Sequence, residues 1–205
     1  MRLVSTMLLF AMLFVFGLGS IVLAEGTVET QQEPQVSPVY EQMMSNYYML
    51  VGDYFDVTYE EVADVLETGL ADDELAVAFF IASKTETSAI TVAKQRVAGE
   101  QLYKIYQNAG LYSQDFWIPI SGKLGKNTFG RLANIYKGQW NSKLILSNNE
   151  IVNLVNVKLL RDINPKQGDQ MVALRADGAQ FAYVYNKCVT RALLSDEGQY
   201  AQEEN

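Results

Sequence analysis

The residues best suited to bind a ligand fall in one segment, residues 116–143. It contains two tryptophans and a tyrosine among five lysines and arginines, and no acid lies between Asp115 and Glu150. Aromatic rings and cations together suit a sugar that carries phosphate or carboxylate groups. The candidate ligand-binding residues are Trp117, Lys123, Lys126, Arg131, Tyr136 and Trp140. The alternative is that these rings cover a helical core and that the bases offset acids elsewhere in the chain.

The composition gives little support for catalysis. The chain has no histidine, which excludes Ser-His-Asp and Cys-His nucleophiles and every metal site that needs imidazole. The carboxylates Glu86 and Glu100 could serve a glycan-cleaving helical enzyme, but neither lies beside a Gly-rich or Ser-rich substrate loop. The acids of residues 72–74 lack the alternating oxygen ligands of a calcium loop. We therefore expect no enzymatic activity, no cofactor and no metal.

Two arginines precede glycines at the same spacing. Arg96 lies three residues before Gly99, and Arg175 lies three residues before Gly178. A cation one turn before a glycine stop suits a helix C-terminus, where it bonds carbonyl groups or a carboxylate from elsewhere. We expect this structural role for both arginines. The alternative is a paired site for an anionic ligand.

Charge is distributed unevenly along the chain. Residues 25–74 hold 13 acids and no base, whereas residues 84–191 hold 15 bases against 7 acids. Either the two halves compensate each other within one molecule, or molecules associate head to tail.

The first 24 residues resemble a secretory signal. Arg2 precedes an apolar run, and small residues follow up to Ala24, where a signal peptidase would cut. The alternative is an uncleaved anchor, since the segment is just long enough to span a bilayer. Cleavage would leave a mature chain that begins at Glu25.

Cys188 is the only cysteine, so no internal disulfide can form. We expect a buried thiol, with an intermolecular disulfide as the alternative.

The remaining patterns predict an all-α fold of about seven to eight short helices in an irregular bundle. Residues 75–82 are all apolar between acids and Lys84, which predicts a central helix buried on every side. Capping boxes at Thr58 and Ser147 open two further helices. We expect a disordered polar leader over residues 25–37, one helical domain over 38–194 with a long glycine-rich and aromatic loop over 111–146, and a disordered acidic tail over 195–205.

The sequence repeats itself at an offset of 79 residues, on either side of that loop. The offset pairs Leu75 with Leu154, and it pairs the two Arg-x-x-Gly stops with each other. We interpret this as an internal duplication of three helices. The pattern from residue 60 to residue 99, with its second copy from 149 to 181, resembles a group of exported bacterial all-helical proteins with no assigned function. The resemblance implies export and a helical fold, and it transfers no active site.

The sequence therefore predicts an exported envelope protein, periplasmic or extracellular, with a non-catalytic structural or protein-interaction role. Its partner would be another envelope protein. The alternative function is binding of an anionic or glycan envelope polymer through residues 116–143. Acidic charge and export oppose nucleic acid as a partner, and contact with the membrane is expected only if the signal segment is uncleaved. The oligomeric state is not predicted.

Overall fold

The computed structural model describes residues 37–119, 129–135 and 137–190, and within these ranges the chain is helical without strands. Eight α-helices are described within these ranges, which confirms the predicted all-α bundle. They are α1 (Pro38–Phe55), α2 (Tyr59–Leu66), α3 (Leu75–Lys84), α4 (Ala89–Val97), α5 (Leu102–Asn108), α6 (Asn148–Ile163), α7 (Gly168–Ala176) and α8 (Phe181–Tyr185). A single π-helical turn, Asn186–Thr190, continues α8. The predicted signal segment, the tail and all of the leader except Ser37 lie outside the described residues.

Helix α3 is the centre of the fold. Every residue from Leu75 to Ile81 is buried, and α3 packs against α1, α4 and α6. A helix that is apolar all round can be stable in water only when other elements cover all its faces. The prediction of a central buried helix is confirmed.

Local signals set the starts of α2 and α6. The Glu61 backbone N–H donates to Thr58 Oγ1 at 3.2 Å, and the Thr58 N–H donates to Glu61 Oε2 at 2.8 Å. At α6, the Glu150 N–H donates to Ser147 Oγ at 3.3 Å and the Ser147 N–H donates to Glu150 Oε2 at 2.7 Å. Both predicted capping boxes are therefore formed, and they fix the entry of the chain into each helix.

The predicted repeat is visible in the helix boundaries. Helices α4 and α7 begin and end 79 residues apart, and α5 and α8 begin 79 residues apart. Gly99 and Gly178 close α4 and α7 with φ of 93° and 88°. These left-handed conformations favour glycine, which has no Cβ to clash. The copies differ before α3, where a 3₁₀ turn, Asp72–Glu74, corresponds to a part of the continuous helix α6.

The segment predicted as a long loop contains short 3₁₀ turns, Ser113–Phe116, Gly130–Asn134 and Lys137–Gln139. Many of its apolar side chains join the main core. They include Phe116, Ile118, Phe129, Leu132, Trp140 and Leu146.

Cys188 is also buried, as expected, and burial raises the pKa of its thiol. No helix within the described ranges has the length and apolar content needed to cross a bilayer.

Candidate functional site

The predicted ligand-binding residues do not form one exposed face. Trp140 is only 4% exposed, and its Nε1–H donates to the Ile135 carbonyl at 3.4 Å. Trp117 is half-buried. Lys123, Lys126 and Tyr136 lie outside the described residues. The position of Trp140 favours the alternative in which the aromatic rings cover the helical core.

Arg131 is engaged by the start of α6. Its Nε and Nη2 contact the two carboxylate oxygens of Glu150 at 2.9 Å and 3.0 Å, and Nη2 also donates to the Ile145 carbonyl. Burial acts to raise the pKa of Glu150, but hydrogen bonds from Arg131 and Ser147 outweigh it and leave the pKa below the usual value. This base therefore holds its segment against α6 and is already bonded before any ligand arrives.

A cleft of about 500 Å³ remains beside these residues. Trp117, Leu132, Lys137 and Trp140 line it, and Lys137 Nζ lies 4.4 Å from the centroid of the Trp117 ring. A cation over an aromatic face is a favourable arrangement. The wall of the cleft thus contains one half-buried aromatic ring, Trp117, and one exposed cation, Lys137. These are the two kinds of group expected to bind an anionic or glycan polymer.

The acids at the start of α3 are all bonded within the protein. Asp72 Oδ1 accepts from the Tyr48 hydroxyl at 2.5 Å, and both oxygens of Glu74 lie 3.0 Å from Arg96 Nε. Asp73 accepts from the Phe181 backbone N–H at 3.0 Å through Oδ1 and pairs with Arg175 Nη1 at 3.0 Å through Oδ2. No cluster of metal ligands occurs among the described residues. The acids join α3 to α1, α4, α7 and α8.

The two repeat arginines use equivalent positions in different ways. Each donates from Nη1 to the carbonyl four residues further on, Arg96 to Glu100 at 3.3 Å and Arg175 to Ala179 at 2.9 Å. Each also donates from Nε to a side chain 22 residues earlier, but this is the carboxylate of Glu74 in the first copy and the neutral amide of Asn153 in the second. The predicted structural role of the arginines is confirmed.

Arg175 therefore takes its carboxylate from the other copy. Asp73, which supplies it, belongs to the turn before α3. The guanidinium carbon also lies 4.6 Å from the centroid of the Phe181 ring. The Asp73–Arg175 ion pair therefore joins the two copies. The corresponding arginine of the first copy, Arg96, pairs with Glu74 of its own copy.

A buried polar contact that the sequence did not reveal lies next to this cluster. The Tyr47 hydroxyl donates to Asn156 Oδ1, and Asn156 Nδ2 donates to the carbonyls of Asp73 and Val152, both at 2.9 Å. Burial, and secondarily the charges of Asp73 and Asp72, hold the pKa of Tyr47 well above its usual value. Asn153 and Asn156 interrupt an otherwise apolar run in α6, and that interruption was the available signal for a buried polar site.

Helices α1 and α2 present the opposite situation. Seven acids on or next to them are exposed, and none forms an ion pair with a base among the described residues; they are Glu41, Asp53, Asp56, Glu60, Glu61, Asp64 and Glu67. No lysine or arginine occurs between Arg2 and Lys84. The expected compensation between the halves therefore holds for Asp73 and Glu74 and is not found for these seven. We call α1 and α2 with these acids the acidic face.

The acidic face contains an apolar groove. It has a volume of about 260 Å³ between α1 and α2, and Met49, Asp53 and Tyr59 are among the residues that line it. The side chains of Met49 and Tyr59 are 55% and 67% exposed. A second cleft of about 400 Å³ separates α2 from the end of α3 and the start of α4, with Asp64 and Phe79 in its wall. Helix α2 thus stands between two clefts and carries acids on its solvent side.

Comparison of the chain with protein-family models, with curated proteins and with solved structures found no match.

Proposed function

We propose that this chain is an exported envelope protein with a non-catalytic role in structure or protein–protein contact. The signal-like first 24 residues and the resemblance to exported bacterial helical proteins support export. The absence of histidine and the internal bonding of Asp72, Asp73 and Glu74 support a role without catalysis. These three acids hold helices together.

The observation that carries the proposed contact role is the acidic face. Helices α1 and α2 carry seven exposed carboxylates, and none of them forms an ion pair with a base among the described residues. One of these acids, Asp53, lines a groove with two exposed apolar side chains, Met49 and Tyr59. Repulsion among exposed like charges does not help a domain to fold. An apolar groove rimmed by one sign of charge is typical of a surface that meets a partner.

Two measurements test this proposal. N-terminal sequencing of the exported protein should find Glu25 as the first residue, and an intact Met1 would contradict cleavage and favour an anchor. A photo-cross-linking residue placed at Tyr59 should form an adduct with a protein in intact cells. The matched position is Ile163, an exposed apolar residue at the end of α6, where no adduct is expected. Equal cross-linking at both positions, or none at either, would contradict a contact role for the acidic face.

The cleft beside Trp117 supports a second candidate function, binding of an anionic or glycan envelope polymer. Lys137 and the Trp117 ring offer a cation and an aromatic face at its wall. A pull-down against purified envelope polymers tests it. Lys137→Ser and Trp117→Ala should each weaken the binding, and Lys166→Ser, a change of an exposed lysine outside the cleft, should leave it unchanged. Added salt should also weaken binding, since it screens exposed charges.

Arg131 is a poor choice for that test. Its side chain is bonded to Glu150 and to the Ile145 carbonyl, so its replacement changes the packing of its segment as well as the surface charge. Failure of the purified protein to bind any polymer, with the fold intact, would remove the second candidate.

A further inference from the structure

We infer that the groove of the acidic face receives the basic edge of a second copy of this chain, so that molecules associate head to tail. The inference rests on the proposed contact function and names its partner. The basic edge consists of Tyr103, Lys104, Lys143 and Ile145. Arg131 lies beside it, but Glu150 neutralises its charge.

The basic edge is a second charged surface, with one exposed apolar side chain, Ile145, and the half-buried ring of Tyr103. Tyr103, Arg131 and Ile145 line an open hollow of about 480 Å³ where α5 meets the start of α6. Ile145 is 52% exposed. Lys104 and Lys143, close by in the sequence, are exposed and form no ion pair with a described acid. This surface combines apolar and basic side chains, whereas the acidic face combines apolar and acidic side chains. The two surfaces are therefore complementary in charge.

The two surfaces belong to different parts of the bundle. Helix α1 packs mainly against α2, α3 and α8, and α2 packs mainly against α1 and α4. The basic edge instead lies on α5 and on the residues that lead into α6. No ion pair joins the two surfaces among the described residues. Since the charges of the two surfaces are not paired with each other within the described residues, they are available for a contact between molecules.

Charge also selects the occupant of the groove. Residues 25–36 contain three acids and no base, and residues 191–205 contain four acids and one base, so repulsion opposes either segment of the same chain. The whole chain carries a net charge of −8, which opposes association at long range. At physiological ionic strength that repulsion is screened beyond about 8 Å, and the local match of the two surfaces decides. A contact between two different surfaces is heterologous and extends into rings or filaments.

The test uses sedimentation velocity of the mature chain over a range of protein concentration and salt. The wild-type protein should show a mass that rises with concentration and falls as salt is added. Reversal of the acidic face, with Asp53→Lys and Asp64→Lys, should lower the association constant at least about tenfold. Reversal of the basic edge, with Lys104→Glu and Lys143→Glu, should do the same.

Mixing the two reversed variants should restore association, because each then offers the surface that the other lacks. The matched control is Asp169→Lys with Asp177→Lys at α7, which produces the same net charge as reversal of the acidic face without touching either surface. Circular dichroism checks that each variant is folded. Restoration on mixing, with the control associating at least as strongly as wild type, supports the inference.

Three results would overturn it: a wild-type protein that stays monomeric at all concentrations, a mixture that fails to associate, or a control that loses association as the reversed variants do. If the purified protein is monomeric while Tyr59 cross-links to a different protein in cells, self-association is wrong and the proposed contact function stands. If Tyr59 cross-links to nothing, the contact function fails as well.

Discussion

Two acidic segments of the same half of the chain are used in opposite ways. The acids of the 3₁₀ turn Asp72–Glu74 each bond a tyrosine, an arginine or a backbone N–H from another helix. Those of the acidic face are exposed and form no ion pair within the described chain. The difference follows from the helices they border. Helix α3 is buried on all sides and brings its first turn toward the core, where a carboxylate needs a partner. Helices α1 and α2 keep one face in water, where an exposed carboxylate needs no partner.

The largest effect on the fold is expected at Asp73. Asp73→Ala removes both the ion pair with Arg175 and the bond to the Phe181 N–H, and it leaves the partly buried Arg175 without a carboxylate. Loss of one partner of such a pair should lower the free energy of unfolding by about 2–4 kcal/mol. Urea denaturation measures it. A loss below about 1 kcal/mol would show that the ion pair between the copies contributes little, as exposed pairs do.

The difference between the copies can be reversed. Asn153 occupies the position that Glu74 holds in the first copy, so Asn153→Glu should offer Arg175 a carboxylate of its own. In the Asp73→Ala background this change should recover about 1 kcal/mol, whereas in the wild-type protein, with Asp73 present, it should be neutral or destabilising. Denaturation of the four proteins of this cycle gives the coupling energy. If Asn153→Glu changes the free energy of unfolding equally in both backgrounds, the carboxylates at positions 73 and 153 do not compete for Arg175.

A smaller effect is expected at Arg131, and it depends on pH. The folded-state pKa of Glu150 lies below its usual value of 4.5, so its contribution to stability is present above about pH 4.5 and is lost as pH falls through the folded-state pKa. Arg131→Gln should raise that pKa and cost less than about 1 kcal/mol at neutral pH, since the arginine side chain is 53% exposed.

Urea unfolding at about pH 7 and at a pH below the folded-state pKa of Glu150 checks this, since protonation of Glu150 removes the charge that Arg131 binds. The gap between Arg131→Gln and wild type should close at the lower pH. A gap of equal size at both values would assign the effect of Arg131 to its bond with the Ile145 carbonyl.

What the sequence could predict was mostly local. The capping boxes at Thr58 and Ser147, the apolar run of α3 and the glycine stops are patterns within a few residues, and all of them are formed. The repeat could also be predicted, because both copies keep the same spacing. The polar cluster could not, since Asp73 meets residues more than 100 positions away and Tyr47 meets Asn156 across a similar distance.

The candidate site shows the same limit. The bases of residues 116–143 have no acid near them in the sequence, which left open both a free basic surface and a role in offsetting acids elsewhere. Arg131 nevertheless reaches Glu150 at the start of α6, and Trp140 turns into the core. An exposed charged surface also lies on α1 and α2, where the sequence showed acids without bases and left open whether other parts of the chain would neutralise them.

We propose that the acids of the acidic face other than Glu61, which caps α2, serve contact and do not stabilise the fold. The most direct test is the urea midpoint of a variant in which Asp53, Asp64 and Glu67 are replaced by their amides. All three are exposed and form no ion pair among the described residues. The midpoint should lie at or slightly above that of wild type, since removal of exposed like charges relieves repulsion. A loss of more than about 1 kcal/mol in the free energy of unfolding would contradict it, because surface substitutions without a structural role stay within about 0.5 kcal/mol.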